Sequence, residues 1–146
     1  MDAYEKACKK IRKANADLLA AFESWLQKKK LGKKTVDKHL ANTDFFINHF
    51  LLYEEAIKAS DGLEHVGHFL GYWFIRKAMW ANQQAIIESA ASLKKFYTFL
   101  WERGEISKEF LTNLKIRIKE EMPEWLATMD RYEDPENDDP WELGIV

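Results

Sequence analysis

The chain has 146 residues and a formal net charge of −2, and with 47% hydrophobic and 14% aromatic residues it has enough apolar material for one core and one domain. Its single cysteine, Cys8, excludes a disulfide framework within one chain and a zinc site built from thiolates, so a reducing cytoplasm is the predicted location. No uncharged run reaches about 18 residues and the N-terminal stretch lacks a continuous apolar segment, so neither a membrane span nor a signal peptide is predicted.

The small net charge hides an uneven distribution along the chain. Residues 1–38 carry eleven Lys/Arg against five Asp/Glu, residues 39–119 carry ten against nine, and residues 120–146 carry one against ten. The body of the chain therefore has a charge of +7 and its C-terminal part a charge of −9. A basic body with an acidic tail is compatible with a polyanionic partner.

Apolar residues recur at helical spacing from residue 3 to about residue 29, which predicts a first helix. The lysine-rich connector 27–34 follows and is interrupted by Gly32. Thr35 is the predicted N-cap of a second helix, which is expected to end near Lys58. The predicted buried line of this second helix consists of Val36, Leu40, Thr43, Ile47 and Phe50.

The third helix is predicted over residues 63–79, after a turn in which Asp61 and Glu64 can form a capping box. Its predicted core face consists of Val66, Phe69, Leu70, Trp73 and Phe74, while Tyr72 and Ile75 are predicted to point elsewhere. Gly67 and Gly71, four residues apart, leave a groove in which another helix can approach closely.

The stretch 82–104 is the element around which the other helices are predicted to pack. Its apolar line consists of Ile86, Ala90, Leu93, Tyr97 and Leu100, flanked by Ile87, Phe96 and Trp101. Asn82 is the predicted N-cap, and Gly104 can take the left-handed conformation that ends a helix. A stripe this wide and aromatic requires at least two other helices against it.

Ser107 starts the fifth predicted helix, which extends to about Met129 and is expected to be kinked or divided at Pro123. The rest of the chain is acidic and lacks periodicity, which predicts disorder. The predicted fold is therefore all-α, with four core helices and an additional C-terminal helix in one domain, residues 1–130, followed by an acidic tail, residues 131–146.

Three stretches of this pattern carry a resemblance to a known family. They are Phe22-x-x-Trp25-Leu26; then Leu31-Gly32-x-x-Thr35-Val36-x-x-x-Leu40 leading to Phe46 and Phe50; and then Ser92-Leu93-Lys94-x-Phe96-Tyr97-x-Phe99-Leu100 followed by Gly104-x-Ile106. Together they resemble the N-terminal core-binding domain of tyrosine recombinases, the SAM-like module of phage integrases, over roughly residues 15–107. The resemblance implies a compact orthogonal array of four helices.

In that family the domain clamps duplex DNA through the hairpin of its first two helices and through its fourth helix. Carried onto this chain, the resemblance implies DNA contacts by the hairpin lysines Lys28, Lys29, Lys30, Lys33, Lys34 and Lys38. The candidates on the fourth helix are Asn82, Gln83, Gln84, Ser89, Lys94 and Lys95. Lysines beside a helix N-terminus neutralise phosphates without reading bases, so affinity with weak sequence preference is expected.

The chain departs from the family pattern in two respects. Family members usually carry Arg or Lys in the first half of the fourth helix, where this chain has Ala85, Ile86, Ile87 and Glu88. Motifs for the Arg, His and Tyr residues that break a phosphodiester are missing, so the chain is predicted not to be an enzyme and to need no cofactor. His65 and His68 lie three residues apart, but no third ligand follows at helical spacing, and no metal site is predicted.

Three features of the sequence have more than one interpretation. The lysine connector can be an ordinary solvated turn. The residues Tyr72, Trp73, Ile75, Trp80 and Trp101 exceed what a four-helix core needs. They either form the contact surface of a protein-interaction or oligomerisation module, or they are covered by the fifth helix through Trp125. The acidic tail either solubilises the chain, competes with phosphate for the basic hairpin, or binds a basic partner.

Overall fold

The computed structural model describes residues 1–134, and helices are its only regular elements over that range. α1 spans Ala3–Lys28, α2 spans Lys33–Asp44 and continues as a π-helical turn over Phe45–Phe50, α4 spans Gln83–Glu102, and α5 spans Lys108–Glu133. α3 is composite, with a 3₁₀ segment Ala59–His65, an α-helical turn Val66–His68, a π-helical turn Phe69–Trp73 and a last α-helical turn Phe74–Lys77. The prediction of an all-α helical array is confirmed.

α4 lies at the centre of the main core, as its wide apolar stripe predicts. Ile86, Leu93 and Phe96 have no exposed surface, and they pack with buried residues from each of the other four helices. The Tyr97 hydroxyl donates a hydrogen bond of 2.7 Å to the carbonyl oxygen of Ala59, which ties the start of α3 to α4. Burial raises the pKa of Tyr97, so the phenol stays protonated and keeps this bond.

The predicted helix ends are confirmed for α4 and for the start of α5, but not for the start of α2. Asn82 and Ser107 each accept a hydrogen bond from the backbone N–H three residues further on. Gly104 has a φ of +79°, the left-handed conformation expected of it. The Thr35 cap is wrong, because the extended backbone at Gly32 already lets that carbonyl accept the first intrahelical hydrogen bond.

The prediction that α2 continues to Lys58 is also wrong, since its helical structure ends at Phe50. Leu51 and Leu52 are both buried, but Leu51 packs in the main core and Leu52 in a second cluster with α1. The chain turns at these residues instead of continuing as a helix. The Tyr4 hydroxyl donates to the carbonyl oxygen of Leu52 and holds this turn against α1.

α3 differs from the prediction in where it begins and in which of its side chains are buried. Its 3₁₀ segment begins at Ala59 without a side-chain cap, so the capping box of Asp61 and Glu64 does not mark its start. The prediction that Ile75 points away from the core is wrong, because this side chain is buried. The π-helical turn Phe69–Trp73 takes more residues per turn than an α-helix and rotates the following residues relative to regular spacing.

The prediction that another helix packs closely on Gly67 and Gly71 is confirmed, and that helix is α5. A Cβ atom added to Gly71 would lie 2.6 Å from Cδ1 of Trp125, and one added to Gly67 would lie 3.1 Å from Oε1 of Glu121. The buried Trp125 indole therefore closes the core over α3.

Pro123 does not divide α5, which runs unbroken through it.

The acidic tail predicted from residue 131 overlaps the end of α5, because this helix continues to Glu133. The rest of the predicted tail, residues 135–146, lies outside the described residues. Between residues 1 and 134, no helix is both long enough and apolar enough to cross a membrane.

Candidate nucleic-acid interface

The hairpin between α1 and α2 presents five of the predicted lysines to solvent. These exposed residues are Lys28, Lys29, Lys30, Lys33 and Lys34. Lys30 has a φ of +61° and is the residue that takes the left-handed conformation after α1. Glycine adopts that conformation without a steric cost, whereas a side chain with a Cβ atom does not. Gly32, two residues later, has an ordinary φ of −66°, so a lysine occupies the position at which the backbone favours glycine.

The first turn of α2 adds an anion-binding feature to the hairpin. Gly32 provides no side-chain cap, and the first turn contains no acidic residue, so backbone N–H groups lie free beside Lys33 and Lys34. The helix N-terminus carries the positive end of the helix dipole, and it lies beside two ammonium groups. These positive charges repel one another, and a bound anion would relieve the repulsion. Lys33 pairs with Asp37 at 3.0 Å, but its side chain is 90% exposed, so this ion pair is weak.

An open groove of about 1120 Å³ begins at this hairpin and extends between α4 and α5. Five lysines line it, namely Lys29, Lys94, Lys95, Lys115 and Lys119. Among the described residues that line it, the one carboxylate is that of Glu102, which accepts a hydrogen bond of 3.3 Å from the indole N–H of Trp25. The apolar part of the lining consists of Trp25, Leu31, Ala91, Ile118, Met122 and Pro123. The groove thus combines a strong positive charge with an apolar surface, and we call it the basic groove.

The basic groove brings together three predicted DNA contacts from two separate parts of the chain, the hairpin and α4. Lys29 comes from the hairpin, where its ammonium lies 4.7 Å from the centre of the Trp25 ring, and Lys94 and Lys95 come from α4. Lys115 and Lys119 were not predicted, since they lie in α5, far along the chain from the hairpin. Their spacing of four residues, which puts both on one helix face, was the only signal in the sequence.

The other candidates on α4 do not reach the basic groove. Asn82 caps the helix, Gln83 donates a hydrogen bond of 2.9 Å to a backbone carbonyl of α5, and Gln84 donates one of 3.4 Å within its own helix. Ser89 is buried and is not accessible to a ligand. Gln83 and Lys94 are about 16 Å apart along the helix axis, so the two halves of α4 present different surfaces.

Lys38 and a buried histidine connect α2 to α4 near the basic groove. The Lys38 ammonium lies 3.5 Å from the carboxylate of Glu88. Nδ1 of His39 lies 2.8 Å from Oγ of Ser92, and this oxygen lies 3.1 Å from the carbonyl oxygen of Glu88. Burial lowers the pKa of His39, and the charge of Lys95 lowers it further. The histidine is therefore neutral in the folded protein at neutral pH.

The aromatic residues that formed the alternative contact surface are only partly covered. Trp125 packs on α3, yet Tyr72 remains 51% exposed and Trp80 55% exposed. Trp73 and Trp101 are half-buried. An aromatic surface that includes Tyr72 and Trp80 therefore remains open to solvent.

Within the described part of the chain, no group of three or more His, Cys, Asp or Glu side chains is arranged to hold a metal ion. Neither a known protein family, nor a curated protein, nor a solved structure matches this chain. The geometry of the hairpin and of the basic groove is therefore the basis for assigning a function.

Proposed function

We propose that this chain is a DNA-binding module that contacts duplex DNA through its hairpin and basic groove. The observation that carries this proposal is the convergence of five lysines on one groove whose lining within residues 1–134 contains a single carboxylate. These lysines come from the hairpin, α4 and α5. An ordinary solvated turn explains the hairpin cluster, but it does not explain why two further helices add four lysines to the same surface.

The chemistry of the basic groove suits a sugar–phosphate strand. Phosphates carry the charge that the ammonium groups neutralise, and the deoxyribose rings match the apolar lining that includes Trp25 and Leu31. Lysine is a flexible point charge and lacks the planar fork that reads guanine, so these contacts provide affinity with weak sequence preference.

The backbone at Lys30 supports the same proposal. A glycine there would satisfy the left-handed conformation at no steric cost, yet the position carries an ammonium group. Residues held in unfavourable backbone conformations are concentrated at functional sites. A charge needed in the turn of the hairpin accounts for a lysine at this position.

The resemblance to the core-binding domain of tyrosine recombinases agrees with this proposal at the hairpin and differs from it along α4. In that family the hairpin and the fourth helix face DNA. In this chain the second half of α4, with Lys94 and Lys95, is the half that lines the basic groove. The polar residues of the first half are used in contacts within the protein, so we assign them no role in binding DNA.

Fluorescence anisotropy with a labelled random duplex tests the proposal. If the five lysines of the basic groove and the four other exposed hairpin lysines each contact a phosphate, the slope of log K against log salt is about −8.1, and affinity falls about 7 × 10⁴-fold between 50 and 200 mM salt. Alanine at the five exposed hairpin lysines should abolish binding. These hairpin substitutions are Lys28→Ala, Lys29→Ala, Lys30→Ala, Lys33→Ala and Lys34→Ala.

The control removes five exposed cations from the first half of α1, which does not line the basic groove. They are Lys6, Lys9, Lys10, Arg12 and Lys13. This variant has the same net charge as the hairpin variant, so equal weakening by both would show that only the overall charge matters. Failure of the unaltered chain to bind the duplex at 50 mM salt would overturn the proposal.

A second candidate function is a helical protein-interaction or oligomerisation module. The observation that favours it is the aromatic surface on and beside α3, where Tyr72 and Trp80 are more than half exposed. Trp73 is half-buried and would contribute its remaining exposed surface, whereas Trp101 lies about 27 Å from Gln83 along the axis of α4 and is not part of this surface. A molar mass that rises with protein concentration in light scattering, and that Trp80→Ala returns to the monomer value, would support this candidate.

A further inference from the structure

A second cavity, of about 170 Å³, lies between the end of α2, the turn that follows it, and α3. It shares no lining residue with the basic groove. The side chains that matter here are the rings of Phe50, Tyr53, His68 and Trp73 and the carboxylates of Glu54 and Glu55. We call this cavity the aromatic cage.

The rings of the aromatic cage meet at steep angles. The centres of the Phe50 and Trp73 rings are 5.2 Å apart with the planes inclined at 65°, and those of Tyr53 and Trp73 are 5.7 Å apart at 69°. The His68 ring lies 6.0 Å from Phe50. Rings inclined in this way form adjoining walls rather than a stack. The faces of aromatic rings carry negative charge density and attract cations.

The carboxylates at the aromatic cage also attract a cation, as the ring faces do. Glu54 and Glu55 are exposed, and neither forms an ion pair with another described residue. The Lys77 ammonium lies 5.6 Å from the centre of the Tyr53 ring, so this ring already attracts a cation within the protein. Two carboxylates beside aromatic walls therefore favour a positively charged ligand.

The indole of Trp73 supplies a separate observation. Its Nε1–H is buried, and no acceptor for it is found in residues 1–134. This nitrogen is closed to solvent, so a ligand in the aromatic cage meets the faces of the rings and not this donor.

The volume of the aromatic cage limits the ligand to a small group. It is below the roughly 300–1,000 Å³ of sites for drug-sized molecules and close to the about 150 Å³ of an apolar cavity that holds benzene. We propose that the aromatic cage binds the quaternary ammonium group of a small free cation of the choline type. Methyl groups contact the rings, and the charge faces the carboxylates. A primary ammonium binds less well, because the rings cannot replace the hydrogen bonds that it makes with water.

Titration of the full chain with choline tests this inference, which does not depend on the proposed DNA binding. Calorimetry should show saturable binding, and the NMR signal of the Trp73 indole N–H, assigned by its loss in Trp73→Phe, should shift with the same midpoint. The matched control ligand is 3,3-dimethyl-1-butanol, which has the shape of choline without its charge. It should bind at least about fivefold more weakly, and equal binding of the two would overturn the inference.

A pair of tyrosine variants tests the site itself. Tyr53→Leu should weaken choline binding about fivefold, and Tyr53 is 53% exposed, so the change should leave the fold intact. Tyr132→Leu is the matched control, because Tyr132 is 38% exposed and does not line the aromatic cage. Equal loss in both variants, or no loss in Tyr53→Leu, would contradict the assignment.

The same headgroup chemistry occurs in a phospholipid, and vesicles separate the two sources. Co-sedimentation with phosphatidylcholine vesicles should leave the protein in the supernatant while free choline still binds. Binding to the vesicles without binding of free choline would overturn the proposal of a free cation.

Discussion

Neutralising Lys115 and Lys119 together tests the basic groove apart from the hairpin, because both residues come from α5. They are exposed, so Lys115→Gln with Lys119→Gln should change the free energy of unfolding by no more than about 0.5 kcal/mol per position. Each phosphate contact contributes about 0.9 to the salt slope, so the slope should change from about −8.1 to about −6.3. At 50 mM salt each lost contact weakens binding about tenfold, which gives a loss of about 100-fold for the pair.

The assay is anisotropy of the labelled duplex over 50 to 200 mM salt, with the double variant Lys6→Gln, Lys10→Gln as control. Lys6 and Lys10 are also exposed, four residues apart on one helix, and outside the basic groove. The control should retain both the affinity and the slope of the unaltered chain. If the Lys115 and Lys119 variant also retained them, α5 would not contact DNA, and the basic groove would be wrong as the binding surface.

Three further predictions concern stability and are checked by urea unfolding. Gly71→Ala should lower the free energy of unfolding by about 1–3 kcal/mol, because its Cβ would lie 2.6 Å from the Trp125 indole. Gly67→Ala is its control and should be neutral or stabilising, since its Cβ meets only the movable end of a glutamate at 3.1 Å. Lys30→Gly should raise this free energy by about 0.5–1 kcal/mol by relieving the left-handed backbone, while it weakens DNA binding; a loss of stability would contradict the turn geometry. The pKa of His39 lies below its ordinary 6.5, so its contribution to stability is complete above pH 6.5 and is lost as the pH falls through 6.5 towards the lower folded pKa. His39→Gln should remove that part of the pH dependence, and an unchanged pH profile would refute it.

The helix α4 could be predicted almost completely from the sequence. Asn82 and Gly104 are strong end signals, and the predicted apolar line between them is buried in the structure, whereas Ile87, which was predicted to flank that line, is 41% exposed. Both kinds of signal are local, because capping and amphipathic spacing depend on residues within the helix itself.

The end of α2 and the direction of Ile75 could not be predicted in this way. Each depends on a π-helical turn, Phe45–Phe50 in α2 and Phe69–Trp73 in α3, which breaks the 3.6-residue spacing on which the predictions relied. Phe50 and Trp73 pack against each other with ring centres 5.2 Å apart, so the irregular turns accompany contacts between helices. Tertiary packing of this kind overrides local helix propensity.

The basic groove was predicted only in part, for a similar reason. The hairpin lysines form a dense cluster in the sequence, and Lys94 and Lys95 were included through the family resemblance. Lys115 and Lys119 join them only because α5 packs against α4, and apolar spacing does not specify which exposed face of α5 borders the hairpin. A binding surface made from separated segments requires the fold before its members can be recognised.

An NMR titration of the ¹⁵N-labelled chain with an unlabelled random duplex at 50 mM salt is the most direct measurement of the central claim. We predict that the backbone amides of Lys33, Lys34, Lys94 and Lys115 shift together with one midpoint, and that those around Tyr72 and Trp80 do not. Shifts confined to the aromatic surface, or no shifts at saturating duplex, would contradict the assignment of the hairpin and basic groove as the DNA-binding surface.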